Sequence, residues 1–225
     1  TPIKDIPEEA MQEIMYGSLE NVKIAIVFVL ILGITLLISG NDTILNIFCI
    51  ISTPAIAVLS LSCPRKESAS KWQKYKLTLP ITRNAIVNSQ YISHIILCLT
   101  TTAIISLFII LTVCIHGNRY FYYGFRDAVT LLMTSFVLSI LIGAISYPLC
   151  YLWGAERIEV ITVLSVIGAV AIVLGLSLII NLMFDRSSIT NTIYYISLAS
   201  ILAITLVIFI LSKIASCIIF KRKEY

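Results

Sequence analysis

The sequence predicts an all-α integral membrane protein, a bundle of six transmembrane helices with both termini in the cytoplasm. Three observations predict it. Hydrophobic residues make up 59% of the chain and charged residues 12%, where a soluble domain carries about 25% charge. A chain this poor in charge cannot clothe itself in polar groups, so its solvent is lipid. Six apolar runs follow one another: Asn21–Ser39, Thr43–Leu61, Tyr91–Ile115, Val129–Trp153, Val160–Phe184 and Thr192–Phe220. Each approaches or exceeds the ~20 residues that a helix needs to cross the hydrocarbon. The runs are continuous, not the alternating segments of a β-barrel, and lipid offers the backbone of an isolated span no partner outside its own helix. The third observation is the placement of lysine and arginine, which sets orientation.

The N-terminal segment, residues 1–20, reads as an amphipathic stretch. Asp5, Pro7, Glu8 and Glu9 make a helix start, and Met11, Ile14 and Met15 fall on one face. A surface helix lying along the cytoplasmic leaflet and a solvated leader are both open. The apolar run that follows lacks a basic leader and an A-x-A cleavage site, so it is read as a membrane segment and not as a signal peptide.

Residues 21–61 hold the first two membrane helices. Pro54 lies inside the second, where it removes a backbone hydrogen bond and kinks the helix. Residues 63–90 form a basic cytoplasmic loop with Arg65, Lys66, Lys71, Lys74, Lys76 and Arg83. Residues 91–220 hold helices three to six, with Pro148 inside the fourth, and residues 221–225 form a basic tail. The opposite loops carry Arg119, Arg126 and Arg186. The bias puts the basic loop and both termini inside. Along the fifth helix, Ser165, Gly168, Ile172 and Gly175 share a face, and small residues there let backbones approach.

Several chemistries are missing from the sequence. There is no GxxxxGK[ST] phosphate loop, no HExxH and no GxSxG. The six cysteines are scattered without CxxC spacing and read as small apolar residues, so no metal site and no catalytic residue is assigned. The two histidines, His94 and His116, stand about 33 Å apart on one helix, and the sequence names no partner for either. Asp42, Asp127, Glu156, Glu159 and Asp185 all sit at helix ends. An ion-driven carrier usually holds such groups within the membrane. Any energy for pumping therefore arrives from another chain.

The basic loop has internal order. Ser68 or Ser70 caps a short helix that ends before Leu79-Pro80, and Thr82 caps the helix that runs through Ile86 and Tyr91 into the membrane. Trp72, Tyr75 and Leu79 form one side of the short helix; Lys71, Lys74 and Thr78 form another.

The stretch SKWQKYKLTLPITRNAIVNSQYI resembles the cytoplasmic loop of bacterial ATP-binding cassette exporter permeases of the ABC-2 type, at Trp72, Tyr75, Leu79, Pro80, Arg83, Ile86, Val87 and Tyr91. YPLCYLWGAERIEVI resembles the family's turn between the fourth and fifth helices, at Pro148, Tyr151, Trp153, Gly154 and Glu156. The nearest relatives in kind are membrane subunits of phenol-soluble-modulin and antimicrobial-peptide exporters. The acidic N-terminal segment departs from the basic opening common in the family.

The resemblance implies a homodimer of this chain with two copies of a separate ATPase. ATP and Mg are bound there, so this chain needs no cofactor and is not itself an enzyme. The short helix between the second and third membrane helices becomes the coupling helix, and Trp72, Tyr75, Lys76, Leu79, Pro80, Arg83, Glu156 and Arg157 become the ATPase-coupling residues. An ordinary positive-inside loop with an interfacial Trp is the alternative. Pro54, Pro148, Gly168, Gly175, Tyr122 and Arg126 are candidates for a substrate path; an aromatic belt at the headgroups is the alternative for the loop holding Tyr122 and Arg126. The expected function is ATP-driven export of amphipathic, cytolytic or antimicrobial peptides across a bacterial plasma membrane. Alternatives are a permease-like immunity or sensor subunit, or an exporter of lipid or small hydrophobic drugs.

Overall fold

The computed structural model describes residues 26–38, 42–61, 83–117, 125–183 and 191–222. The described residues form six α-helices: α1 (Ile26–Ile38), α2 (Asp42–Ser60), α3 (Arg83–His116), α4 (Phe125–Trp153), α5 (Ile158–Met183) and α6 (Asn191–Arg222). A single 3-10 turn, Ala155–Arg157, joins α4 to α5. Among the described residues, four helices are long and apolar enough to cross a membrane: Ile86–His116, Phe125–Trp153, Ile158–Ile180 and Thr192–Arg222. The apolar parts of α1 and α2, Ile26–Ile38 and Thr43–Leu59, are shorter.

α3 begins at Arg83, eight residues before the apolar run, and runs 34 residues without a break. At 1.5 Å per residue it is about 51 Å long, well over the ~30 Å of hydrocarbon. Its polar first turns carry Arg83, Asn84, Asn88 and Gln90, and its length exceeds what the apolar slab alone requires. Glycine ends two of the helices. Gly117 and Gly154 have φ of 73° and 87°, a region open to glycine at no steric cost. Their amides donate to the carbonyls of Val113 and Cys150 at 2.9 and 3.0 Å, closing the last turns of α3 and α4.

Successive helices run in opposite directions. One end of the bundle gathers Leu61, Val87, Tyr151 and Phe220 into a single apolar cluster. The other gathers Leu36, Leu45, Phe48, Phe108 and Ala128. There His116 Nε2 donates to the carbonyl of Leu37 at 2.8 Å, tying α3 to α1. α1 and α3 also cross closely at Gly33, where a Cβ would meet the Phe108 ring at 2.6 Å.

α4 is the central helix. Half of its apolar window is buried, against 11% for α5. It packs on α2, α3, α5 and α6. α5 instead presents Ile167, Leu174, Leu178 and Leu182 outward, as a lipid-facing helix does. Asp42, Asp127, Glu156 and Glu159 all lie at helix ends or in the 3-10 turn, so the helix interiors are uncharged on the acidic side. Cys49, Cys98, Cys114, Cys150 and Cys217 carry free thiols. No group of three or more His, Cys, Asp or Glu is close enough to hold a metal among the described residues.

Candidate functional site

Pro54 and Pro148 both lie within helices that the structure leaves continuous, and each raises the same accounting question. Proline has no N–H, so the carbonyl four residues earlier loses its helical donor. For Pro148 that carbonyl belongs to Ala144. Ser212 of α6 donates to it at 2.5 Å. For Pro54 it belongs to Ile50, and Ser135 of α4 reaches it at 3.5 Å. A neighbouring helix thus serves each break, as hydrocarbon requires. The α4 break is served from α6 by a hydrogen bond, and the α2 break from α4 by a contact at the outer limit of one.

The fastening continues into α3. Tyr91 Oη lies 2.8 Å from both Ser212 Oγ and Ser216 Oγ. A hydroxyl has one proton to give. Ser212 gives its own to the Ala144 carbonyl, so Tyr91 donates to Ser212 and Ser216 donates to Tyr91. The chain runs Ser216, Tyr91, Ser212, Ala144 and joins α6, α3 and α4 by directed bonds. Tyr91 is buried and packs its ring on Tyr147 at 4.9 Å and Phe209 at 5.0 Å.

One turn further along α3, buried His94 donates through Nε2 to the carbonyl of Ser139 at 3.0 Å. It stands against Gly143, where a Cβ would overlap its Nε2. The ring also meets Tyr147 edge-on at 5.5 Å. Closer to the Arg83 end, Tyr151 donates to Gln90 Oε1 at 2.5 Å. α3 is therefore bonded to α4 or α6 at positions 90, 91 and 94, directly after the turns that leave the basic loop.

Buried hydroxyls with no partner cluster at the same breaks. Ser52 and Thr53 precede Pro54, and Ser146 lies two residues before Pro148. A buried polar group without a partner is uncommon and asks for an explanation. Here the spare hydrogen-bonding capacity sits where the helix ladder is already interrupted.

Pro54 also lines an apolar groove of about 550 Å³ between α1, α2, α4 and α5, with Phe28, Ile142 and Val166 among its walls. Gly168 brings α5 close to α4, its missing Cβ standing 3.0 Å from Ile145 Cδ1. Gly175 faces open space, so the small-residue face of α5 divides into a packed half and an unpacked half. Arg126 lies at the far end of the bundle, over the Tyr194 ring at 4.1 Å. Glu156 and Arg157 sit exposed in the 3-10 turn, at the same end as the start of α3. Arg83 is the first residue of α3. Trp72, Tyr75, Lys76, Leu79, Pro80 and Tyr122 lie outside the described residues.

The structure adds His94, Ser135, Ser139, Gly143 and Ser212 to the residues picked from sequence, and gives Tyr91, named there only for its motif, its hydrogen-bond partners. Pairing each proline with its orphaned carbonyl names Ala144 and Ile50 without a structure. Nothing in the sequence names the helix that supplies the donor.

The Ala144 latch makes a double-variant test. Ser212→Ala is expected to destabilise the purified protein by about 1 kcal/mol, within the range of hydrogen bonds between membrane helices. Pro148→Ala restores an N–H to the Ala144 carbonyl, and the loss from Ser212→Ala should shrink in that background. Equal losses in both backgrounds, measured by denaturant unfolding, would show that Ser212 does not serve the break.

Comparison with known proteins bears on the whole bundle. The family model described as ABC-2 family transporter protein matches residues 15–221. Neither the curated proteins nor the solved structures give a match. With the matched span covering the basic loop and the described helices up to, but not including, the last residue of α6, the chain is a multi-pass membrane protein that belongs to the ABC-2 transporter family.

Proposed function

We infer that this chain is the export path of an ATP-driven transporter, that its basic loop receives the stroke of the ATPase, and that its cargo is an amphipathic peptide. Membership of the ABC-2 family makes it a membrane permease that works with a separate ABC ATPase. The six-span topology, the coupling role of the loop, the homodimeric permease and the peptide cargo are the finer reading.

The observation that carries the coupling is the set of bonds at the start of α3. Force applied at Trp72 and Tyr75 would pass through the uninterrupted helix from Arg83 to Tyr91 and His94. Those residues hold α6 and α4 by hydrogen bonds. α4 and α6 then move together, because they share the broadest packing contact of the described helices and Ser212 bonds across it to the Ala144 carbonyl. α2 also packs broadly on α4, and Ser135 of α4 reaches the carbonyl freed at the Pro54 break at 3.5 Å. The apolar groove beside Pro54 lies between these helices and α1 and α5. A cargo already in the membrane could place its apolar face there without crossing a charged barrier. Glu156 and Arg157, exposed at the loop's end of the bundle, would form a second contact with the ATPase. ATP and Mg belong to that partner, so no cofactor is proposed for this chain. The Lys and Arg bias supports this end as the cytoplasmic one, and the membrane we propose for it is the bacterial plasma membrane.

Reconstituted permease and ATPase test the cargo. Hydrolysis should rise with amphipathic helical peptides at concentrations below those that lyse the vesicles. Scrambled peptides of equal composition, with their apolar residues spread around the helix instead of gathered on one face, should stimulate less. Equal stimulation by both, or stimulation by a lipid-linked sugar only, defeats the peptide assignment and leaves the permease role standing.

A further inference from the structure

A second cavity, of about 440 Å³, opens between α4, α5 and α6 on the side of the bundle away from the basic loop. Its two ends are built differently. At the deep end, Val137 belongs to the larger apolar cluster, and Val173 and Ile201 pack against it. Further in, Ser212 bonds α6 to α4. At the other end, among the described residues, stand Arg126, Thr130 and Tyr194, in the first turns of α4 and α6. α6 joins the cluster only from Ile201 onward, and none of its described side chains ahead of Ile201 is in or against either apolar cluster. The first stretch of α6, about three turns from Asn191 to Ile201, instead turns Ile193, Tyr194, Ser197 and Leu198 to the cavity.

That stretch is joined to α4 by polar contacts. Thr130 Oγ1 donates to the Arg126 carbonyl at 2.7 Å. A hydroxyl has one proton to give, so Tyr194 Oη donates to Thr130 Oγ1. The Arg126 guanidinium lies over the ring of the same tyrosine at 4.1 Å. α4 therefore holds Tyr194 twice, at its hydroxyl and at its face. Both contacts are lost together if the phenol ring turns away. Tyr194 is half-buried and has the cavity behind it, so turning it disturbs these two contacts and little packing.

We propose that Tyr194, Thr130 and Arg126 form a releasable outer latch. When it opens, the first three turns of α6 part from α4, and the cavity joins the water on that side. The bonds at Ser212 hold the deeper part of α6 in place as the fulcrum. The use of such a latch rests on the export reading, in which material leaves the bundle at this end; its existence does not.

Thr134 lines the cavity from α4 and serves as the reporter. A thiol reacts as its thiolate, so Thr134→Cys meets a membrane-impermeant thiol reagent only when water enters the cavity. Labelling of each cysteine is followed in intact cells by mass spectrometry. With the chain expressed alone, Thr134→Cys should label slowly but to completion, because a releasable latch opens by itself at times. Adding Tyr194→Ala should speed it about tenfold, the scale of one hydrogen bond plus one cation–π contact in a two-state equilibrium. Tyr194→Phe keeps the ring and loses only the hydroxyl; it should speed labelling about threefold and carries the test if Tyr194→Ala fails to fold. Cys98, buried in the bundle, should stay unlabelled throughout. Phe125→Cys, exposed at the same end, should label in every background; if it does not, the orientation is inverted, and the same reagent in permeabilised cells decides. A Thr134→Cys that never labels in the otherwise unaltered chain makes the contact a fixed strut and overturns the proposal. Unchanged labelling in either folded tyrosine variant overturns it too, as does labelling of Cys98 in both, which would make the contact a requirement of folding. Co-expression with the ATPase should raise labelling of Thr134→Cys further. If it does not, while the chain alone behaves as expected, the export reading fails at this end and the latch stands.

Discussion

Gly143→Ala is expected to destabilise the protein by about 1–3 kcal/mol, the range for forcing an extra carbon into a packed interior. The sign is the informative part. Glycine inside a helix is ordinarily the weaker residue, and alanine gains roughly 0.5–1 kcal/mol over it. At Gly143 the added Cβ would overlap His94 Nε2. His94 is 1% exposed, and its bond to the Ser139 carbonyl fixes the ring where the new carbon would be. α3 and α4 would have to part, and both the hydrogen bond and the Tyr147 contact would suffer. Gly175→Ala is the control, since a Cβ there meets nothing within 4 Å; it should be neutral or stabilising. His94→Ala should relieve the clash, so the double variant with Gly143→Ala should be more stable than the two single losses predict, by about 1 kcal/mol or more. Denaturant unfolding in detergent measures all four proteins. Additive losses would show that the two residues are not in contact.

Trp72→Ala and Tyr75→Ala are expected to weaken docking of the ATPase by about 2 kcal/mol each, the threshold of an interface hot spot, which is roughly a thirtyfold loss of affinity. Hydrolysis by the isolated ATPase should not change, because neither residue belongs to it. Stimulation of hydrolysis by cargo should fall with docking. A complex that assembles and transports normally without these aromatics would reduce the segment to a positive-inside loop. The same segment reports orientation. Lys74→Cys in intact cells should resist a membrane-impermeant thiol reagent, and labelling from outside would invert the topology.

Much of the architecture follows from local chemistry. Apolar runs of membrane length, Gly117 and Gly154 at helix ends, and acids confined to those ends are all properties of contiguous residues. The reading of α3 from Thr82 onward depended on a cap after Leu79-Pro80, and the helix does begin at Arg83. The ABC-2 resemblance rested on short motifs around Trp72 and Pro148, and the family match extends over residues 15–221. The small-residue face of α5 was only half informative: Gly168 packs against α4, and Gly175 does not.

The histidines mark the limit most clearly. The sequence names no partner for His94 or His116. In the structure each donates to a backbone carbonyl of another helix, Ser139 and Leu37. Every residue has a carbonyl, so composition and spacing carry no trace of such a partner. The prolines fall halfway. The sequence by itself determined that Ala144 and Ile50 lose their helical donors, because proline's missing N–H acts at a fixed offset of four. Only the tertiary structure decided that Ser212 and Ser135 come to serve them. The physical reason is range. Helix formation, capping and membrane insertion are set by neighbours along the chain and by lipid. The choice of facing helix is set by side-chain packing in a medium that is apolar everywhere, where sequence hydrophobicity does not distinguish one face from another.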